Sequence, residues 1–133
     1  MSDQKPPFIF WAIAVVGLLW NLIGCWNYIV QSNPEAVARM PDVYRLIVEN
    51  RPDWATAGFA ISVFGGAVGA ILMLLRRAVA SALFALSLLG SCVTFYFTYR
   101  VMGVEPATLS ALMMSLALFV FTSLTKRRGW LHL

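Results

Sequence analysis

Four apolar stretches, each about 20 residues long, dominate this sequence. They cover residues 8–30, 54–75, 78–99 and 106–125, and none contains an Asp, Glu, Lys, Arg or His. A helix rises 1.5 Å per residue and the hydrocarbon core of a bilayer is about 30 Å thick, so each stretch is long enough to span it. Only 12% of the 133 residues are charged, against about 25% in soluble domains. We therefore predict an all-α integral membrane four-helix bundle that forms a single domain over residues 1–133.

The longest connection, residues 31–53, has the periodicity of a short amphipathic helical segment. Between Pro34 and Asn50 apolar residues recur every three or four positions, and charged residues recur on the opposite face. Pro41 interrupts this pattern because an interior proline removes a backbone donor and clashes with the preceding turn. We predict two short helices that meet near Met40–Pro41. They either cover the outer ends of the bundle at the membrane surface, or form a lid over an outward-facing cavity or a docking face for a partner.

The basic residues predict the orientation. With the N-terminus inside, six of the ten Lys and Arg residues lie inside and four, including Arg51, lie outside. We therefore predict a multi-pass protein of the bacterial inner membrane with both termini in the cytoplasm. The net charge of +4 then reflects topology, not binding of nucleic acid. The inside positions that anchor this topology are Arg76, Arg77, Lys126, Arg127 and Arg128.

Several kinds of chemistry lack the residues they need. No span contains an ionisable residue to carry protons or cations, which disfavours energy-coupled transport. Cys25, Cys92 and the lone His132 do not have the spacing of a metal or haem site. No nucleophile–base pair or carboxylate pair is evident. We predict a protein that is not an enzyme and binds no metal or cofactor.

Small and polar residues recur at helical spacing in all four spans. Such residues let helices approach closely, and their hydroxyl and amide groups form hydrogen bonds between helices. Two interpretations remain open: these positions are helix contacts, or they form the wall of a polar pocket for a neutral ligand. Asn21, near the middle of its span, is either a clamp between helices or part of that pocket. The candidate positions are Asn21, Gly24, Tyr28, Gly58, Ser62, Gly65, Gly69, Ser91 and Thr94.

Several short motifs resemble those of a known group of proteins. The segments Trp20-Asn-Leu-Ile-Gly24, Pro52-Asp-Trp54 and Phe64-Gly-Gly-Ala67, followed by Arg76-Arg77, are similar to small four-helix bacterial inner-membrane proteins. Most members of that group have no assigned role, and some are labelled sugar transporters. The resemblance covers most of the chain and implies a solute class, but it implies no binding residue.

Two functional hypotheses follow. The first is a non-catalytic accessory, scaffold or assembly component of the inner membrane, in contact with lipid and associating with itself or with other membrane proteins. The alternative is an oligomeric facilitator for a small neutral, sugar-like solute. The sequence does not identify the solute or the partner.

Overall fold

A computed structural model describes residues 5–132 of the chain. Residues 1–4 and 133, which belong to the domain predicted over residues 1–133, lie outside the described part. The described residues form helices without any β-strand, which confirms the predicted all-α fold. The helices are α1 (Phe8–Gln31), α2 (Pro34–Ala38), α3 (Asp42–Asn50), α4 (Asp53–Leu74), α5 (Ala80–Met102) and α6 (Pro106–Arg127).

Four of these helices, α1, α4, α5 and α6, are long and apolar enough to cross a membrane. Each has 22 to 24 residues, which corresponds to about 33–36 Å at 1.5 Å per residue. Their ends differ from the predicted spans by three residues at most. The two short helices predicted in the outer loop are α2 and α3, and they meet at Pro41.

The largest difference from the predicted spans is in α5, which begins at Ala80 and ends three residues beyond the predicted end. The turn before it is longer than the arginine pair suggested, because it caps the end of α4. The Arg76 and Arg77 backbone N–H groups donate to the carbonyls of Met73 (2.9 Å) and Leu72 (2.8 Å), and Arg76 has a left-handed φ of 58°. This is the Schellman pattern. It went unrecognised in the sequence because its left-handed position is usually a glycine.

Helix α4 lies at the centre of the bundle, between α1 and α5, and α6 packs on the other side of α5. Gly90 of α5 lies directly against the α4 backbone. A Cβ added to Gly90 would lie 2.7 Å from the Ser62 nitrogen, and closer still to the Gly58 carbonyl oxygen. A Cβ at Gly58 would lie 2.6 Å from Val93 Cγ1. The close contact of α4 with α5 therefore depends on these two glycines.

The bundle has two chemically different ends. The terminal end carries the start of α1, the α4–α5 turn and the C-terminal residues, and its core includes the fully buried Phe10, Met73 and Phe84. The C-terminal segment is tied to the turn, since the His132 N–H donates to the Arg76 carbonyl at 2.6 Å. The five predicted topology anchors all lie at or next to this end: Arg76, Arg77, Lys126, Arg127 and Arg128.

The other end, the loop end, carries α2, α3 and the α5–α6 turn. Asn33 caps α2 by accepting the Glu35 N–H at 2.9 Å. In α3, Arg45 pairs with Asp42 on the exposed face (2.6 Å), whereas Ile47 on the opposite face is buried. The amphipathic helix α3 therefore lies with its apolar side on the loop end of the bundle.

Candidate functional site

A cavity of about 560 Å³ lies in the loop half of the bundle. Residues of α1, α4, α5 and α6 form its floor and walls, and residues of α3 cover it. Its volume falls within the range of about 300–1,000 Å³ that is usual for small-molecule sites. The cavity is therefore large enough to hold a small ligand.

A chain of three serine hydroxyls forms much of the cavity floor. Ser91 Oγ lies 2.6 Å from Ser62 Oγ and 2.7 Å from Ser115 Oγ, and either atom of each pair can donate. The Ser87 hydroxyl donates to the Ser62 carbonyl at 2.6 Å. Each of the three serines lies near the middle of its helix. Because the chain can run in either direction, it can offer a ligand either a donor or an acceptor at mid-depth.

Asn21 completes the floor from the α1 side. Its Nδ2 donates to the Gly17 carbonyl of its own helix at 2.8 Å, and among residues 5–132 its Oδ1 has no hydrogen-bond partner. Its amide group fits against Gly66, where an added Cβ would lie 2.5 Å from Asn21 Cγ and closer still to Oδ1. Asn21 therefore packs closely against α4, and within the described residues it makes no hydrogen bond between helices.

Below the floor, the bundle is closed toward the terminal end. The Leu118 side chain of α6 covers Gly17 of α1, where an added Cβ would lie 2.9 Å from Leu118 Cδ2. The next hydroxyl down, that of Thr122, is fully buried and donates to the Leu118 carbonyl at 2.8 Å. The cavity is thus a cup whose base is the apolar core of the terminal end.

Charged side chains line this cavity only at its loop end, where Arg51 and Glu105 are found. Both carboxylate oxygens of Glu105 accept backbone N–H groups at the start of α6, from Ala107 (2.8 Å) and Thr108 (3.1 Å). The guanidinium carbon of Arg51 lies 5.1 Å from the centre of the Phe59 ring. Burial lowers the pKa of the Arg51 guanidinium. The deeper part of the cavity is polar but uncharged.

The structure divides the candidate positions predicted from the sequence into two sets. Tyr28 packs edge-on against Phe59 and Phe64, with ring centres 5.6 and 5.5 Å away, and does not line the cavity. The glycines outside the cavity face α5 and are helix contacts: Gly58, Gly65 and Gly69. The positions brought together around the cavity are Asn21, Gly24, Ser62, Ser91 and Thr94.

Three further residues are important to this site but are not among the candidates. Ser115 lies on the small and polar face of the fourth span, and its depth, similar to that of Ser91, is the signal that would add it to the candidates. Gly66 belongs to the same run of small residues as the predicted Gly65, but only the structure shows which of the two faces Asn21. Arg51 was assigned to topology alone, and its place in the cavity has no signal in the sequence.

Comparisons with protein-family models, with curated proteins and with solved structures found no match to this chain. The resemblance to small four-helix inner-membrane proteins stays a prediction. The function proposed below is inferred from the chemistry of the cavity.

Proposed function

We propose that this protein binds a small, hydroxyl-bearing, sugar-like solute in the cavity and facilitates its passage across the bacterial inner membrane. The observation that supports this proposal is the chain of serine hydroxyls beside Asn21 at mid-depth. Polar groups buried in a membrane are costly unless they are hydrogen-bonded. A polyol supplies both donors and acceptors to such a floor, so it matches the cavity better than an apolar ligand does.

The absence of charge in the deep part of the cavity argues that the part of the solute held there is neutral. An ion at mid-depth would lose its hydration, and no residue of opposite charge lines the floor. The floor also offers hydroxyls without a base or carboxylate beside them. We therefore retain the proposal that the protein has no catalytic activity of its own.

Passage through the protein requires the base of the cup to open. Helices α1 and α6 meet there through the Leu118 side chain over Gly17, and we propose that this contact opens to connect the cavity with the terminal end. We propose that the protein works as an oligomer, because four helices enclose little space. The clustered basic residues of the terminal end support a cytoplasmic location for both termini, so the cup would open away from the cytoplasm.

The accessory or scaffold function is the second candidate, and a different surface favours it. An apolar groove of about 520 Å³ runs between α1 and α6 in the terminal half, where Ile13 and Met114 are among its walls. A groove of this kind accepts side chains from a partner helix. Native mass spectrometry after gentle extraction tests this candidate: a stoichiometric complex with another membrane protein supports it, whereas a homo-oligomer with a bound polar molecule supports the facilitator.

Vesicle swelling tests the facilitator directly. Proteoliposomes containing the protein are moved into isosmotic glycerol, ribitol or glucose, and solute entry is followed by light scattering. We expect faster swelling than in empty vesicles for at least one solute, and Asn21→Leu should abolish the difference because it fills the floor with an apolar side chain. Swelling equal to that of empty vesicles with every solute contradicts facilitation.

Two threonines provide a matched pair of variants for this assay. Thr94 and Thr122 each donate their hydroxyl to the carbonyl four residues earlier, but only Thr94 lines the cavity. Thr94→Val should slow solute entry by about two- to tenfold, which is the worth of one hydrogen bond. Thr122→Val should change the rate less than Thr94→Val does, because Thr122 does not line the cavity, and equal effects of the two substitutions contradict solute binding in the cavity.

A further inference from the structure

Arg51 lines the cavity and has no ion-pair partner in the described part of the chain. It lies between α3 and α4 and lines the loop end of the cavity. Its Nε is buried, and within residues 5–132 its side chain forms no hydrogen bond and no ion pair. Its guanidinium stacks over the Phe59 ring, and the Tyr28 side chain is near enough to interact with it electrostatically. Buried polar groups in native proteins nearly always have a partner, so the Nε–H of Arg51 is a donor whose partner is missing from the described chain.

No charged group near Arg51 pairs with it in the described part of the chain, and this includes Glu49 and Asp53, two residues away on either side. Arg45 pairs with Asp42 at 2.6 Å, and Arg100 donates to the Tyr96 hydroxyl at 2.7 Å. Glu105, the carboxylate that lines the same cavity, uses both oxygens to cap α6 and forms no ion pair with Arg51. A half-buried positive charge at the loop end therefore has no ion-pair partner among the described residues.

We propose that Arg51 binds a phosphate group, and that the ligand of the cavity is a phosphate ester of a polyol. The phosphate would lie on Arg51 at the loop end, and the hydroxyl-bearing part would lie in the uncharged depth beside the serine chain. The planar guanidinium presents a fork of N–H donors that matches phosphate oxygens. The inference rests on the proposed function for the hydroxyl-bearing part of the ligand and adds the phosphate to it.

Two classes of molecule supply a phosphate ester of a polyol. One is a soluble polyol phosphate that enters from water, and the other is the glycerophosphate headgroup of a membrane lipid. The second source is physically close, since Arg51 is three residues from Trp54 at the start of α4, where indoles favour the headgroup layer. The experiment therefore has one arm for each source.

The soluble arm measures binding of glycerol 3-phosphate and of glycerol to the full chain in an uncharged detergent, by calorimetry. Arg51→Gln should weaken binding of glycerol 3-phosphate by about ten- to hundredfold, the usual worth of a hydrogen bond to a charged group. Glycerol binding should weaken much less, because glycerol has no phosphate for the guanidinium to hold. The matched control is Arg39→Gln, which removes the same charge from an exposed residue outside the cavity.

The lipid arm uses native mass spectrometry of the same variants in micelles containing phosphatidylglycerol or an uncharged galactolipid. Retention of phosphatidylglycerol by the wild type and by Arg39→Gln, with loss in Arg51→Gln, identifies the lipid headgroup as the source. Arg51→Met, which keeps an unbranched apolar side chain over Phe59, replaces Arg51→Gln in both arms if that variant unfolds.

The outcomes separate this inference from the proposed function. Arg51-dependent binding of phosphate in either arm supports the inference. Equal binding of every phosphate probe by Arg51→Gln and Arg39→Gln overturns it. Glycerol binding that phosphate does not strengthen also overturns it and leaves the proposed function standing. If neither glycerol nor a phosphate probe binds the wild type, the inference and the proposed binding of a polyol both fail.

Discussion

Replacing Gly66 with alanine should destabilise the bundle, although the same substitution at its neighbour Gly65 should stabilise it. Both glycines lie inside α4, where alanine is favoured over glycine by about 0.8–1.0 kcal/mol. At Gly65 the added Cβ would meet the α5 backbone at 3.6 Å or more, which is an ordinary contact. Gly65→Ala should therefore raise the free energy of unfolding by about 1 kcal/mol.

At Gly66 the added Cβ would lie 2.5 Å from Asn21 Cγ and closer to Oδ1, so Asn21 must move. Moving it breaks the 2.8 Å hydrogen bond from Nδ2 to the Gly17 carbonyl, a loss of about 1 kcal/mol. Overpacking adds about 1–3 kcal/mol. After the gain in helix propensity of about 1 kcal/mol, the net destabilisation is about 1–3 kcal/mol, and the two variants should differ by about 2–4 kcal/mol.

Equilibrium unfolding in mixed micelles with increasing SDS, followed by tryptophan fluorescence, measures both free energies. The double variant Gly66→Ala with Asn21→Ala should recover much of the loss, because the added methyl group then has room. Shifts of equal sign and size for Gly65→Ala and Gly66→Ala would refute the packing of Asn21 against Gly66.

Three other substitutions test separate features. Gly90→Ala should lower the free energy of unfolding more than Gly69→Ala does. The Cβ added at Gly90 would meet the α4 backbone within 2.7 Å, whereas the Cβ added at Gly69 would meet side chains at 3.3 Å. Equal losses in thermal unfolding would contradict this. Ser91→Ala breaks both hydrogen bonds of the serine chain and should lower the free energy of unfolding by about 1–3 kcal/mol. The control Ser110→Ala, at an exposed serine, should lower it by about 0.5 kcal/mol or less. Similar SDS midpoints for the two variants would disprove the chain. Gly103→Ala, at φ 80° and ψ −155° with open space around it, should cost about 1–3 kcal/mol, because this backbone conformation is essentially confined to glycine. Solute binding should be unaffected, and a calorimetric loss of binding would show that this turn contributes to the site.

The long helices could be predicted because their signal is local. An uninterrupted apolar stretch of membrane-spanning length has few alternatives to a helix. The ends of these helices are harder to predict, because helix capping follows rules other than hydropathy. Lys126 and Arg127 extend α6 beyond the apolar run, as basic residues favour a helix C-terminus, and the Schellman turn at Arg76 delays the start of α5.

The site could be predicted only in part, because one helix face can serve two neighbours. The small residues of α4 form one group in sequence, yet Gly65 faces α5 whereas Gly66 faces Asn21 of α1. Helical spacing cannot separate adjacent positions of this kind without the partner helices. Arg51 is a further case: its charge counts toward topology in the sequence, and only the fold shows that α3 brings it to the cavity.

Thiol accessibility at Thr94 and Thr122 would establish whether the cup is open to water from the loop end. In a background with Cys25→Ala and Cys92→Ala, Thr94→Cys and Thr122→Cys place matched thiols inside the cavity and beneath its floor. A charged, membrane-impermeant methanethiosulfonate reagent is added to intact spheroplasts, and labelling is read by mass spectrometry. We expect Thr94→Cys to be labelled and Thr122→Cys to stay unmodified. An unreactive Thr94→Cys, or equal labelling at both positions, would contradict a water-accessible cavity closed at mid-depth.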